Sequence, residues 1–182
     1  MALTITPFPE IGLDCPDFTL PSVEGKTYSL KDFAKGKPLV VMFICNHCPY
    51  VKAIEDRLIT LGSDLKKMDV SVVAICSNDE EANKEDRFEN LKKRWQEKHY
   101  SFPYLHDKTQ EVAKTFGALC TPDFFVYDKN HKLAYRGRLD DSWKDESRVN
   151  RRELFDAVKL LAEGKAAPQQ QTPSMGCSIK WI

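Results

Sequence analysis

The sequence predicts an α/β domain, a central mixed β-sheet flanked by helices, with an amino-terminal β-hairpin as an extension. Three observations carry this. Leu39 to Ile44 is an unbroken apolar run of strand length with no alternation, as a parallel strand covered on both faces requires. Val51, Ile54, Leu58, Leu61 and Leu65 then recur at intervals of three and four with charged residues between them, the period of an amphipathic helix. Val70 to Cys76 is a second buried-type run, so the chain passes from strand to helix to strand.

The remaining elements follow in order. Phe18 to Leu20 and Thr27 to Leu30 are short β-like runs on either side of Gly25 and Lys26, which predicts the hairpin. Phe88, Leu91 and Trp95 mark a second, heavily charged helix, and Val112 and Phe116 a short third one ending at Gly117. Phe124 to Tyr127 and Lys132 to Arg136 flank Asp-Lys-Asn-His, whose side chains suit a turn, so a second hairpin is expected. Leu154, Phe155, Val158 and Leu161 give a last helix, closed by Gly164. Residues 1–164 are therefore assigned to one domain and 165–182 to a flexible linker, "KAAPQQQTPS", and a carboxy-terminal tail, "MGCSIKWI", apolar enough to dock.

Composition narrows the function. A chain of 182 residues suits one domain with a real core. Lysine plus arginine and aspartate plus glutamate both total 27, without a long block of either sign, which argues against nucleic acid or a membrane surface as partner. No stretch approaches the roughly 20 apolar residues of a bilayer span. The amino terminus does not read as a signal peptide, and a cytoplasmic protein is expected. Six cysteines are too sparse for a disulfide scaffold; in a reducing compartment a close pair points to catalysis or metal binding.

That pair lies in "MFICNHCPYVK", where Cys45 and Cys48 sit between the end of the first central strand and the start of the first helix. Unpaired amides and the helix dipole at such an end favour a thiolate. Cys45, the outer cysteine, is expected to be the more exposed and reactive one. A protonated His47 would favour its thiolate further, although a polar residue on a first helical turn needs no such role. Pro49 belongs in the first turn, where a missing amide hydrogen does little harm. Ordinary core thiols remain the plain alternative reading of the pair. No second C-x-x-C and no H-x-x-x-H completes a zinc site, so no metal or cofactor is assigned. A metal site completed by His99, His106 or His131 stays open, each of these reading more simply as a surface or loop residue.

A second informative segment is "FGALCTPDFFVYD", where Thr121-Pro122 runs directly into a strand. A proline there suggests a constrained turn, with a cis bond as one form, and a strand edge able to hydrogen-bond an extended peptide. Of the other cysteines, Cys15 and Cys76 read as structural and Cys120 as a packing residue, while Cys177 on the tail is either a resolving thiol or a docked one. Arg136 and Arg138, in "YRGRLDD", could stabilise an anion or pair with Asp140 and Asp141.

The C-x-x-C after a strand, the Thr-Pro further on and the following hairpin resemble the thioredoxin superfamily. More narrowly, "PDFTL", "GKTYSL", "CNHCPYVK", "CTPDFFVYD", "YRGRLDD" and "GCSIKW" resemble peroxiredoxin-like proteins of the alkyl hydroperoxide reductase and thiol-specific antioxidant group that carry a thioredoxin-type C-x-x-C. The resemblance implies a thioredoxin-like fold, Pro122 as a cis-proline facing the cysteines, and Thr121 as the backbone site for a substrate peptide. Two departures are visible. Aligning Cys48 with the peroxidatic cysteine puts Cys45 where that group has threonine and Val41 where it has proline. Ile44 and Leu39 stand where thioredoxin has tryptophan and a buried aspartate, so the usual proton acceptor is missing.

Three functions follow. In a thiol-disulfide oxidoreductase acting on protein or small-molecule disulfides and thiols, Cys45 attacks, Thr121 and Pro122 align the mixed disulfide, and Cys48 resolves it. In an antioxidant thiol peroxidase, Cys48 is oxidised by peroxide and Cys45 or Cys177 condenses with it. In a binding module, the same fold holds a metal or an extended peptide without turnover.

Overall fold

The computed structural model describes residues 3–182. In chain order the strands are β1 (Leu3–Ile5), β2 (Thr19–Pro21), β3 (Thr27–Ser29), β4 (Leu39–Phe43), β5 (Ser71–Cys76), β6 (Tyr104–His106), β7 (Cys120–Thr121), β8 (Asp123–Tyr127), β9 (Leu133–Arg136) and β10 (Met175–Ser178). The helices are α1 (Pro49–Lys67), α2 (Phe88–Glu97), α3 (Glu111–Phe116) and α4 (Glu153–Ala162).

The central sheet has five strands in the order β6-β5-β4-β8-β9, with β4 parallel to β5, β5 parallel to β6, and β8 antiparallel to both β4 and β9. β4 lies in the middle, and all five of its residues are buried. Its side chains divide between two cores. Val40 and Met42 join Ile54, Leu58, Leu61, Leu65, Leu154 and Val158 from α1 and α4 on one face. Leu39, Val41 and Phe43 join Val73, Ile75, Phe116 and Phe125 on the other. Both pleats of the strand need apolar side chains, which is why its sequence does not alternate.

α1 places its five periodic residues in the core as expected, but its polar spacing residues are not all solvated. Glu55 is buried, held by Arg94 at 2.6 Å through both carboxylate oxygens and by the Tyr100 hydroxyl at 2.7 Å. At Gly62 a Cβ would come within 2.6 Å of the Phe102 ring, so glycine sets how closely α1 approaches the segment before β6. The first hairpin forms with Leu20 opposite Tyr28 and Gly25 at φ +89°, and the second turns on Asp128, which accepts from the amides of Asn130 and Lys132.

Two features go beyond the sequence expectation. β6 is an additional strand: only three residues long and hemmed in by Pro103 and Asp107, it offers no periodicity to read, and its identity comes from pairing with β5. The tail docks through a second, three-stranded sheet in the order β1-β10-β7, which ties residues 175–178 to both the amino-terminal strand and the segment before Pro122. Among the described residues no helix is long and apolar enough to cross a membrane.

Candidate active site

The site forms where β4 ends and α1 begins. Cys48 is the N-cap of α1 with extended backbone, and Pro49 occupies the first turn, where its lack of an N–H leaves no bond unmade. The connection from β4 is short, so Cys45 and Cys48 both stay within the carboxyl edge of the sheet. Across from them runs β7, and the Thr121–Pro122 peptide bond is cis. The Cys45 Sγ lies 3.2 Å from the Thr121 hydroxyl, and the Cys48 Sγ lies 3.0 Å from the Thr121 carbonyl oxygen. Thr121 thus touches both sulfurs, one by its side chain and one by its backbone.

The expected exposure of Cys45 is not found. Cys45 is 1% exposed and Cys48 fully buried, because Thr121, His47 and the docked tail cover them. Chemistry therefore separates the two thiols where exposure does not. Burial, followed by the hydrogen bond to Cys48, holds the Cys45 thiol well up. That same hydrogen bond brings Cys48 down to about 4, against the opposing effect of burial, with the backbone N–H groups of Val51 and Cys177 adding support. The two sulfurs behave as one acid that keeps a single proton between them over the neutral range. With that proton on Cys45, Cys48 is the anion; with it on Cys48, the Thr121 carbonyl accepts it and the anion is Cys45, beside the Thr121 hydroxyl and His47.

A distant segment brings a buried carboxylate to the Cys45 side of the site, through His47. Asp86, in a 3-10 turn over Lys84–Asp86, is fully buried. It accepts from the amides of Asn46 at 2.8 Å and His47 at 3.2 Å, from Asn78 Nδ2 at 3.0 Å, and from His47 Nδ1 at 2.5 Å. The His47 Nδ1 also lies 3.6 Å from the Cys45 Sγ. Asn46 fastens the loop further by donating to the carbonyls of Glu85 and Asn90, both at 3.0 Å. His47 is thus more than a polar first-turn residue, since its ring joins Cys45 to a buried acid. Asp86 went unseen in the sequence because it sits in "NDEEANKEDR", a run of charges that reads as solvated.

Cys45, His47 and Asp86 are also the one group among the described residues able to offer a metal three ligand atoms, all within 4.8 Å of one another. The distant histidines do not join it. His106 and His131 are buried rather than on the surface, and burial lowers the basicity of both. The Asp86 oxygens already accept four hydrogen bonds, which makes the group fit a proton network better than an open coordination site.

The remaining sequence candidates are placed as follows. Cys15 is buried, which pushes its thiol up to about 12; Cys76 and Cys120 are also buried and raised. Cys177 is buried on β10, opposite Thr121, in the same core cluster as Cys45 and Cys48, and burial pushes its thiol up to about 12. Arg136 is held by Asp123, at 3.2 and 2.8 Å, and by the Gly117 carbonyl; Arg138 is held by Glu153 at 2.7 and 2.9 Å. Pairing with Asp140 and Asp141 is therefore corrected: Arg57 takes Asp140 at 2.6 Å, and Arg151 lies 3.8 Å from Asp141. A small apolar cavity of about 140 Å³ opens beside Pro122, lined among others by Tyr50, Phe124, Trp143 and Met175, with the Trp143 ring centred 4.9 Å from that of Tyr50 at a tilt of 37°.

Comparison with known proteins agrees with this geometry. The model of the AhpC/TSA family matches residues 11–136. A thiol-disulfide oxidoreductase ResA of Bacillus thuringiensis subsp. konkukian is 30% identical over 124 residues, 68% of this chain and 67% of its own. A conserved protein of Geobacillus kaustophilus has a crystal structure similar to this one at TM-score 0.93 and 44% identity, covering 100% of this chain and 97% of that one. The thioredoxin domain of a thiol-disulfide oxidoreductase from Bacteroides vulgatus shares the fold at TM-score 0.59 and 20% identity, over 70% of this chain and 88% of that one. With a matching family model over most of its length and a thioredoxin-like fold carrying a C-x-x-C at a helix start, the chain belongs to the AhpC/TSA family.

Proposed function

We propose that Cys45 and Cys48 are the working dithiol of this thiol-disulfide oxidoreductase, with Cys45 as attacking sulfur and Cys48 as resolving sulfur. The observation that carries the assignment is the pair of contacts to Thr121. Moving the shared proton onto Cys48 directs it to the Thr121 carbonyl and leaves a Cys45 thiolate next to the Thr121 hydroxyl. Cys45 attacks one sulfur of a substrate disulfide, and the other leaves as a thiolate. His47, anchored by Asp86, is placed to supply the proton that this leaving group needs. Cys48 then attacks the Cys45 sulfur of the mixed disulfide; the bond between Cys45 and the substrate breaks, the departing substrate thiolate takes up the proton that Cys48 gives away, and the protein is left with Cys45–Cys48 oxidised and the substrate reduced by two electrons.

The substrate class is protein thiols and disulfides, as the relatives' name suggests for them. Reduction of insulin disulfides tests the assignment. Cys48→Ser should accumulate a mixed disulfide on Cys45, whereas Cys45→Ser should form none at that position. Unchanged turnover in Cys45→Ser would end this reading.

One observation favours peroxide as a second substrate. Cys48 is the sulfur drawn down to about 4, and its anion receives backbone N–H groups from Val51 and Cys177 in a site that a small molecule enters more easily than a protein loop. In that antioxidant reading Cys48 is oxidised to a sulfenic acid and Cys45 condenses with it, releasing water. Stopped-flow oxidation by stoichiometric hydrogen peroxide tests it: a rate no faster than that of a free thiol rejects it.

A further inference from the structure

The backbone edge at Thr121, where an extended substrate would add a strand, is occupied by the chain's own tail. β10 pairs antiparallel with β7, placing Cys177 opposite Thr121 and Ser178 opposite Cys120. Gly176 makes the approach possible, since a Cβ there would run into the Thr121 carbonyl and the Pro122 nitrogen. Ser174 fixes the start of the strand by donating to the Pro122 carbonyl at 2.9 Å, and Lys180 fixes its end by donating its amide to Asn78 at 2.9 Å. Held in this way, Cys177 lies opposite Thr121, whose carbonyl oxygen is 3.0 Å from the Cys48 Sγ, and Cys45, Cys48 and Cys177 share one buried cluster.

We propose that Cys177 is a third redox-active thiol of this site, exchanging with the Cys45–Cys48 disulfide to form a Cys48–Cys177 disulfide. The inference rests on the dithiol assignment above. Cys177 attacks the Cys48 sulfur; the Cys45–Cys48 bond breaks, and Cys45 leaves with the electron pair and takes up the proton that Cys177 gives away. One disulfide replaces another, so no outside oxidant is needed beyond the substrate that oxidised the first pair. Both sulfurs belong to one buried cluster beside Thr121, so the disulfide length of about 2.05 Å is reached within the site, and the reaction is intramolecular. The new bond would tie β10 to the start of α1, locking the tail covalently on the Thr121 edge it already occupies, while Cys45 is returned as a thiol.

Mapping of disulfides tests this directly. Fully reduced wild-type protein is treated with stoichiometric diamide, which takes two electrons and two protons from a thiol pair. It is then alkylated, digested without reductant and analysed by mass spectrometry. A peptide joining Cys48 to Cys177 is expected beside the peptide with an internal Cys45–Cys48 bond. Cys45→Ser should still lose two thiols and yield Cys48–Cys177. Gly176→Ala should cut the Cys48–Cys177 share severalfold while the Cys45–Cys48 bond still forms. The proposal is overturned if wild type and Cys45→Ser both give no Cys48–Cys177 peptide. Insulin reduction by the same wild-type preparation separates the two failures: turnover without Cys48–Cys177 sinks this inference alone, whereas absence of both turnover and Cys45–Cys48 sinks the dithiol assignment too.

Discussion

β4 and β5 run side by side and parallel, and each delivers cysteine to the carboxyl edge of the sheet, yet the thiols they deliver are opposites. Cys76, the last residue of β5, is fully buried and pushed far up by burial, with the nearby charge of Asp86 acting in the same direction. Cys48, just past β4, is equally buried and is drawn down to about 4. Burial therefore does not decide the state of a thiol here. The hydrogen bond from the Cys45 thiol does: at Cys48 it outweighs burial, with two backbone N–H groups and the start of a helix adding to it, whereas the hydrogen bonds to Cys76 do not outweigh burial.

The largest test of this contrast is loss of function. Cys45→Ser or Cys48→Ser should reduce insulin reduction to the rate of the buffer thiol alone, whereas Cys76→Ser should stay within about twofold of wild type, as expected of a thiol outside the reacting set. An equal loss in Cys76→Ser would break the comparison.

The next test concerns the buried acid. Asp86→Asn keeps the shape but weakens the acceptor for His47 Nδ1, and should lower kcat by roughly tenfold or more, within the range for a proton-transfer group, while KM changes little. As a positioning residue Asp86 should also alter the pH-rate profile, which a purely structural residue would not.

pH dependence sharpens the difference between the strands. Thiolate absorbance of the reduced protein should persist as the pH falls from 8 and disappear only near 4, and Cys48→Ser should abolish that step while Cys76→Ser leaves it in place. The sign for stability follows. Cys48 binds its proton less readily in the folded state than a free thiol of pKa about 8.5, so its stabilisation of the reduced protein is complete above that value. It declines as the pH falls and is gone below about 4. Stabilising the reduced form also makes the disulfide more oxidising, so its potential should lie above the thioredoxin value of about −270 mV.

The smallest expected effects are local. Trp143→Phe should remove most of the fluorescence change on oxidation, because Trp143 packs against Tyr50 two residues past Cys48, whereas Trp95 donates to the Phe102 carbonyl and Trp181 lies under Lys114. Cys76→Ser should cost about 1–2 kcal/mol in denaturant unfolding, the price of a buried hydroxyl in place of a thiol, with activity preserved.

Much of this was legible in the chain itself. The apolar run of β4, the three-and-four spacing of α1 and the Asp-rich turn after β8 are local patterns, and local patterns fix local structure because each is satisfied within a few residues. The pair Cys45 and Cys48, and Thr121-Pro122 across from it, could be read the same way, as a strand end, a helix start and a constrained turn.

What only the tertiary structure decided is how distant segments finish the site. Asp86 lies in a run of charges whose members look interchangeable until folding buries one of them beneath His47 and Asn46. Cys177 sits after a stretch rich in proline and glutamine, and nothing in that stretch says which strand edge the tail will find; pairing with β7 at Thr121, allowed by Gly176, brings it to Cys48. The sequence determined which residues could carry thiol chemistry, because a C-x-x-C at a helix start is a short-range arrangement. Which thiol holds the proton, which acid anchors the histidine and which third sulfur lies in reach depend on contacts between residues far apart in the chain, and only the packed fold brings these together.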